Sequence, residues 1–257
     1  MAEQLTIVKV GGKIVEAPDT LARLLADFAA LPGKKLLVHG GGRSATQLAS
    51  RLGVETHMVD GRRITDDAML EVVTMVYGGL VNKRIVAGLQ AAGVNAMGMT
   101  GADMDIIRSV KRPAREIDYG WVGDVTRVDG DALARVINDG IVPVIAPLTH
   151  DGHGHILNTN ADTMAGATAS ALARHYAVRL IFCFEKEGVL LDENDDSTAI
   201  PHLERNRYAD LKAKGIIAGG MIPKLDNAFA TIDAGVSEVI ITKAANIGKP
   251  GHGTVIS

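Results

Sequence analysis

The sequence predicts an α/β fold, a three-layer αβα sandwich around a central, mainly parallel sheet. Three observations predict it. Apolar, strand-like runs alternate with helical patterns along most of the chain, the arrangement that places helices on both faces of a parallel sheet. The first two runs, Leu5–Val10 and Leu36–His39, each end abruptly in glycines, so each reads as a buried strand delivered into a tight loop. The 257 residues, 47% hydrophobic and 22% charged, suffice for a large core in one large domain or two closely packed lobes.

Taken in order, the first strand is followed by an amphipathic segment through Leu31, with Asp19 as its N-cap and Pro32-Gly33 as its stop. The second strand leads into a helix over Arg43–Leu52 that ends at Gly53. Asp66–Ala92 is one long helical stretch closed by Gly93, and a strand follows near Asn95–Met99. Ile106–Val110 and Trp121–Val128 break the alternation and read as antiparallel strands around the loop Arg112–Gly120. Ile141–Ala146 is a buried strand whose Pro143 marks a strand beginning or an edge. Leu148–Asn158 reads as a hairpin with its tip at Asp151–His155. Its three histidines match no structural zinc spacing and read as a solvated turn. Asp162–His175 is helical and Ala-rich, Val178–Phe184 is a strand, and a helix after Gly220 and the strand Glu238–Thr242 close the pattern. A soft boundary near residue 175 divides the chain into 1–175 and 176–257 within one continuous sheet.

Composition narrows the function. Net charge is −3, from 27 basic and 30 acidic residues, which argues against a sequence-independent nucleic-acid binder. The single cysteine, Cys183, allows no internal disulfide and favours a reducing compartment; in its apolar run it reads as a buried, inert thiol. The first residues lack signal-peptide organisation, and no run approaches the ~20 apolar residues of a membrane span. A soluble, cytoplasmic protein without a membrane partner is expected. The 29 glycines are about 11% of the chain, against a background of ~7%, and imply tight turns and close backbone approaches.

The chemistry-bearing residues are spread along the chain. Strand, glycines and helix form a layout that holds anions on backbone N–H groups at helix N-termini. Neither glycine loop fits the P-loop or the dinucleotide fingerprint, and Gly40-Gly41-Gly42 alone is equally a turn. Lys9 stands inside an apolar strand, where a charge needs a partner. Asp60-Gly61-Arg62-Arg63-Ile64-Thr65 carries two arginines. In Asn158-Thr159-Asn160-Ala161-Asp162, the acid opens an apolar helix and by itself reads as a helix cap or first-turn acid. Gly219-Gly220-Met221-Ile222-Pro223-Lys224 places a second lysine inside a glycine-led helix, where an exposed surface lysine is the ordinary reading.

Lys-x-Gly-Gly, His-Gly-Gly-Gly, Arg-Ile-Thr, Gly-Trp-Val-Gly-Asp-Val, Asn-x-Asn-Ala-Asp and Gly-Gly-Met-x-Pro-Lys occur here in one order, from Lys9 to Gly253-Thr254. The series resembles the amino acid kinase family and, within it, the enzymes of arginine biosynthesis that phosphorylate N-acylated glutamate. The resemblance implies the amino acid kinase-like fold and ATP-dependent phosphorylation of the side-chain carboxylate of N-acetyl-L-glutamate. It assigns Lys9 and Lys224 to the transferring phosphoryl and Asp162 to holding both ammonium groups. Backbone N–H groups of Gly11, Gly41 and Gly42 would cradle phosphoryl and substrate, Arg63 would clamp the α-carboxylate, and Asn158 would bind the amino-acid portion. ATP would lie near Glu185, Lys186, Gly188, Val189, Leu190, Ile216, Ile217 and Ala218. Mg2+ would be held through the phosphates, with no direct protein ligand for a metal.

One departure stands out. The family commonly shows Thr/Ser-Asp-Val-x-Gly after the second-lobe strand, whereas this chain reads Phe184-Glu185-Lys186-Glu187-Gly188. Arg62, Arg108 or Arg112 could partner a further carboxylate, which leaves N-succinyl-L-glutamate open, as does another N-blocked acidic amino acid of the aminoadipate type. A non-catalytic sensor on the same fold is the reading from another class. Relatives inhibited by arginine carry an additional N-terminal helix; this chain begins close to its first strand, so the resemblance implies a homodimer without arginine feedback.

Overall fold

Period-two alternation in the first strand sorts its side chains between two cores. A computed structural model describes residues 2–59 and 61–257; Asp60 of the Arg62-Arg63 segment lies outside them. The elements are β1 (Gln4–Val10), α1 (Gly12–Glu16), α2 (Pro18–Ala30), β2 (Lys34–His39), α3 (Gly42–Arg51), β3 (Met58–Val59) and β4 (Arg62–Arg63). Then come α4 (Asp67–Val73), a π-helical segment (Thr74–Val81), α5 (Asn82–Ala91), β5 (Ala96–Met99), β6 (Ile107–Lys111), β7 (Gly123–Val128), α6 (Gly130–Asn138) and β8 (Val142–Ile145). The remainder is β9 (Leu148–His150), β10 (Ile156–Asn158), α7 (Ala161–Leu172), β11 (Ala177–Phe184), β12 (His202–Leu203), α8 (Arg205–Ala213), α9 (Met221–Asp233), β13 (Glu238–Lys243) and β14 (Thr254–Ile256).

Eight strands form the central sheet in the order β12-β14-β13-β11-β1-β2-β8-β5, parallel except where β14 runs against β13. Leu5 and Ile7 face a core shared with α6, α7, α8 and α9, and Val8 and Val10 face one shared with α1, α2, α3, α4 and α5. Successive side chains point to opposite faces, so the two sets make a helix–sheet–helix sandwich as expected. Lys9 follows Leu5 and Ile7 in the alternation and emerges on the α7 side. Because β1 lies between β2 and β11 at the middle of the sheet, its C-terminal end opens at the centre of the molecule.

Local chemistry explains the departures from expectation. The N-cap of α2 is Ala17, not Asp19. Pro18 occupies the first helical position, where its preset φ fits and its missing N–H costs nothing, and Asp19 lies in the first turn, favourably placed on the helix dipole. Pro143 is near the start of β8 but not at an edge, since β8 runs between β2 and β5. The ladder with β2 begins only at Val144, so the proline needs no donor on that side. The stretch after Asp66 is helical throughout Asp67–Ala91, with Asp66 as its cap, but its middle eight residues are π-helical. It has 25 residues, and an 18-residue window within it reaches a mean hydropathy of 1.2, long and apolar enough to span a bilayer by length and composition, contrary to expectation. Val72, Val73, Val76, Val81, Ile85 and Leu89 are instead buried against the sheet.

A second sheet, β10-β9-β6-β7, carries the expected hairpin and antiparallel pair. His150 pairs with Asp105 at 2.7 Å; His155 pairs with Asp151 at 2.7 Å and stacks on Trp121.

Candidate active site

The C-terminal ends of β1 and β2 meet the N-termini of α1 and α3 at a close contact. A Cβ built on Gly40 would lie 3.2 Å from the Gly12 nitrogen, and one on Gly12 would lie 3.4 Å from that of Gly42. A Cβ at Gly40 would push the loops apart by a few tenths of an ångström, whereas one at Gly12 would meet them at ordinary van der Waals distance. Gly41 also lies under Tyr77, whose ring would be 2.9 Å from a Cβ there. The Gly11 N–H donates to the Cys183 carbonyl at 3.3 Å, and that of Gly40 to the Val10 carbonyl at 2.9 Å. Among the described residues, the N–H groups of Gly12, Gly41 and Gly42 have no such partner. The open donors therefore include Gly41 and Gly42, and on the first loop Gly12, because the Gly11 N–H is taken by Cys183. Beneath them, burial pushes the Cys183 thiol up to about 12, keeping it neutral.

Lys9 finds its partner on α7. Its Nζ lies 2.6 Å from Asp162 Oδ1, and Lys224 Nζ, from the first turn of α9, lies 2.8 Å from Asp162 Oδ2. The Lys224 contact is a hydrogen bond; the Lys9 contact is an ion pair without aligned hydrogen-bond geometry. Burial, the largest influence on Asp162, raises its pKa, but Lys9 and Lys224 together outweigh it and hold the carboxyl at about 2. The side chains of Lys9 and Asp162 are 10% and 16% exposed, and that of Lys224 is 32% exposed. One buried carboxylate thus aligns two ammonium groups from residues 215 apart in the chain, Lys9 and Lys224. Asp162 is not the cap of α7: Asn160 accepts the Thr163 N–H at 3.0 Å in that role, which frees Asp162 for the lysines.

A cavity of about 180 Å³ adjoins the glycine triad, lined by Gly40, Gly41, Gly42, Met58, Arg62, Arg63, Tyr77, Val122, Asn158 and Asn160 among others. Arg63 is buried, and its Nη2 donates to the Gly42 carbonyl at 2.7 Å and to Thr46 Oγ1 at 2.9 Å. Asn158 donates to Thr65 Oγ1 at 2.9 Å. Trp121 holds this wall together. Its N–H donates to the Thr65 carbonyl at 2.6 Å, its carbonyl accepts from the Asn158 N–H at 2.8 Å, and its indole N–H donates to Asp67 at 2.6 Å. Gly120 beside it has φ +67°, and a Cβ there would lie 2.2 Å from the Thr65 carbonyl oxygen. The Gly-Trp-Val-Gly motif is therefore a seam joining the Arg-Ile-Thr segment to Asn158, a role invisible in its residue types. Of the three arginines available for a further carboxylate, Arg112 is paired with Asp124 and Arg108 with Asp105. Arg62 lines the cavity, and burial followed by the charge of Arg112 lowers its pKa.

A separate cavity of about 440 Å³ lies over the far end of the sheet, lined by Lys186, Gly188, Val189, Leu190, Ile216, Ile217, Ala218 and Met221 among others. Seven of the eight residues expected around ATP converge there. The eighth, Glu185, does not line it; its carboxylate meets Lys13 in the first turn of α1. The departure at Glu185-Lys186 therefore joins the α1 end of the first glycine loop to the segment after β11. Lys186 Nζ donates to the Glu193 carbonyl at 2.6 Å on the cavity's edge. Gly188 is required by packing, since a Cβ would lie 2.6 Å from Thr254 Oγ1, which accepts the Val189 N–H at 2.8 Å.

Residues 4–243 match the model of the amino acid kinase family. An acetylglutamate kinase of Phocaeicola vulgatus is 65% identical over 256 residues, spanning 100% of this chain and 99% of that protein. Among solved structures, smu.665 from Streptococcus mutans UA159 superposes with a TM-score of 0.80 at 27% identity, covering 98% of both chains. The N-acetylglutamate synthase of Neisseria gonorrhoeae, complexed with coenzyme A and N-acetyl-glutamate, gives 0.82 at 23% identity, covering 99% of this chain and 59% of that one; at that identity the likeness is one of fold.

Proposed function

Because the chain belongs to the amino acid kinase family, we propose that it is the kinase its curated relatives are named for, an ATP-dependent N-acetyl-L-glutamate 5-kinase of arginine biosynthesis. The observation that carries this reading is the Asp162 carboxylate held between Lys9 and Lys224 beside two glycine loops with open N–H donors. Both reactants are anions, and the charge of the transferring phosphoryl spreads over its oxygens. Positioning and charge stabilisation therefore supply most of the catalysis. The acceptor carboxylate is already ionised near pH 7, so no general base is needed.

Each residue then has a physical task. Lys9 and Lys224 flank the phosphoryl, and Asp162 keeps their ammonium groups apart and aligned. The Gly41 and Gly42 N–H groups face the anion as dipoles that need no reorganisation during transfer. Arg63 holds the substrate α-carboxylate as a charge-assisted pair, and Asn158 contacts its amino-acid portion. The nucleotide base and ribose occupy the cavity around Val189, Ile217 and Ala218. Asp162 is engaged by both lysines, and the groups facing the anion site are N–H and ammonium donors. That donor set fits phosphate oxygens, so Mg2+ would be held through the nucleotide's phosphates rather than by a protein cage. Residues 1–175 accordingly take the amino-acid substrate and 176–257 the nucleotide. We place the protein in the cytoplasm as a soluble homodimer. Exposed Met75 and Leu80 on the π segment, and β5 at the open edge of the sheet, support the dimer.

The test is ADP release with N-acetyl-, N-succinyl- and free L-glutamate, with the acyl phosphate trapped by hydroxylamine. N-acetyl-L-glutamate is expected to support turnover and to give a hydroxamate. ADP release without hydroxamate, or turnover of another acid but not of this one, overturns the assignment.

A further inference from the structure

His39 precedes the glycine triad at the end of β2 and points away from Lys9, to the side of the sheet covered by the long helix. It is fully buried, and two contacts determine its protonation. Nδ1 lies 2.8 Å from the Gly40 carbonyl oxygen, which can only accept, so Nδ1 carries the hydrogen. Nε2 lies 3.2 Å from Asn82 Nδ2. That amide also donates to the Val144 carbonyl at 2.9 Å, while Asn82 Oδ1 accepts from Lys83 at 3.1 Å. The Val144 carbonyl thus fixes which way the Asn82 amide faces, and the amide presents a donor to Nε2. An imidazolium would set N–H against N–H there. Burial lowers the His39 pKa to about 4, against the raising effect of the bond to the Gly40 carbonyl and with a smaller lowering from Lys83.

Across a trans peptide the carbonyl and the N–H point in opposite directions. Holding the Gly40 carbonyl toward His39 therefore turns the Gly41 N–H away from it. The Gly41 nitrogen lies 3.6 Å from the position of a Gly12 Cβ, beside the first glycine loop, and its N–H has no partner among the described residues. The π segment completes the support. In an α-helix, Tyr77 and Asn82, five positions apart, would point to different sides. Where hydrogen bonds run from i to i+5 they fall about one turn apart on the same side. Tyr77 thus packs on Gly41 while Asn82 reaches His39.

We propose that His39 is a positioning residue for the phosphoryl transfer: as a neutral, Nδ1-protonated imidazole locked by Asn82, it sets the Gly40–Gly41 peptide so that the Gly41 N–H faces the anion between the two glycine loops. The inference rests on the kinase reading above. His39→Asn keeps a donor at the Nδ1 position, His39→Gln carries its amide out to the Nε2 position, and His39→Leu has neither. Losing one preorganised donor costs on the order of 100-fold in turnover. His39→Gln and His39→Leu are expected to lose about that much kcat, with KM for ATP and N-acetyl-L-glutamate changed by less than about 3-fold, while His39→Asn restores about a tenth or more of wild-type kcat. Wild-type turnover by Gln and Leu, or an Asn variant as impaired as Leu at the same Tm, overturns the proposal. If His39→Leu fails to fold, the Asn-to-Gln ratio decides. A long-range 1H–15N spectrum of histidine-labelled wild type, with the His39 signal identified by its loss in His39→Asn, reads the tautomer without any assay. An imidazolium or an Nε2-protonated ring at neutral pH overturns the proposal. Absence of wild-type turnover on N-acetyl-L-glutamate would instead overturn the kinase reading and leave the tautomer result standing.

Discussion

Replacing Asp162 by Asn removes the charge that two lysines enclose, and the structure sets the size of the effect. The folded protein holds this carboxyl at about 2 against an ordinary 3.8. At about 1.4 kcal/mol per pH unit, that difference is worth roughly 2–3 kcal/mol of folding stability at pH 7. The sign follows from its direction. A depressed carboxyl contributes fully above the unfolded value, near pH 4, and its contribution disappears as pH falls through the folded value, near 2. For a chain of this length, that corresponds to a fall in Tm of about 4–12 °C. Calorimetry of wild type and Asp162→Asn at pH 7 should show that gap, and the gap should narrow between pH 4 and pH 2. Turnover should fall by orders of magnitude, because two unscreened ammonium groups no longer share one alignment. A gap that is the same at pH 7 and pH 3, or Asp162→Asn turnover near wild type, would refute the role given to this carboxylate.

Other substitutions separate the remaining tasks. Lys9→Ala and Lys224→Ala should each lower kcat by orders of magnitude while the circular dichroism spectrum stays native; near-normal turnover in either would remove it from the transfer step. Arg63→Ala should mainly raise KM for the amino-acid substrate. Arg63→Lys should not rescue it, because one ammonium cannot span the Gly42 carbonyl, Thr46 and a carboxylate together; an unchanged KM in Arg63→Ala would show that the α-carboxylate is held elsewhere. Gly188→Ala drives a Cβ to 2.6 Å from Thr254 Oγ1 and should raise KM for ATP by at least about 10-fold, whereas KM for N-acetyl-L-glutamate stays put. Equal KM values for ATP in both proteins would show that the cavity beside Val189 is not the nucleotide site.

What the sequence made legible depended on how locally each feature is encoded. Lys9 announces itself because an ammonium in an apolar strand demands a partner, and the alternation of Leu5, Ile7 and Lys9 already places it on one face. The helix α8 escaped because Tyr208 and Leu211 are its only buried residues, too few to establish a period. The strand β14 has three residues, too few to show an alternation, although its antiparallel partner β13 is the strand directly before it. The π segment was hidden for a different reason: Met75, Val76, Leu80 and Val81 read as ordinary helix, and nothing in residue type records one extra residue per turn. Asn158 and Arg63 could be picked out by type, but the Trp121 seam that joins their segments could not, since the two bonds to Thr65 and Asn158 are made by backbone atoms.

The same distinction explains how the site is assembled. Groups that touch charge are legible because burial makes them expensive unless paired, so their residue types betray them. Groups that only orient are chosen by distance, and distance belongs to the fold. Asp162 belongs to both kinds. As a first-turn acid it is unremarkable, the cap of α7 being made by Asn160. It becomes the centre of the site only because α7 begins opposite the ends of β1 and α9, which brings Lys9 and Lys224 to its two oxygens. A shift of α7 by one residue would turn this carboxylate by about 100° and leave two lysines facing each other. The caps that fix where helices start, Asn160 here and Asp66 before the long helix, therefore control catalysis as directly as the charged residues do, by deciding which side chains arrive together.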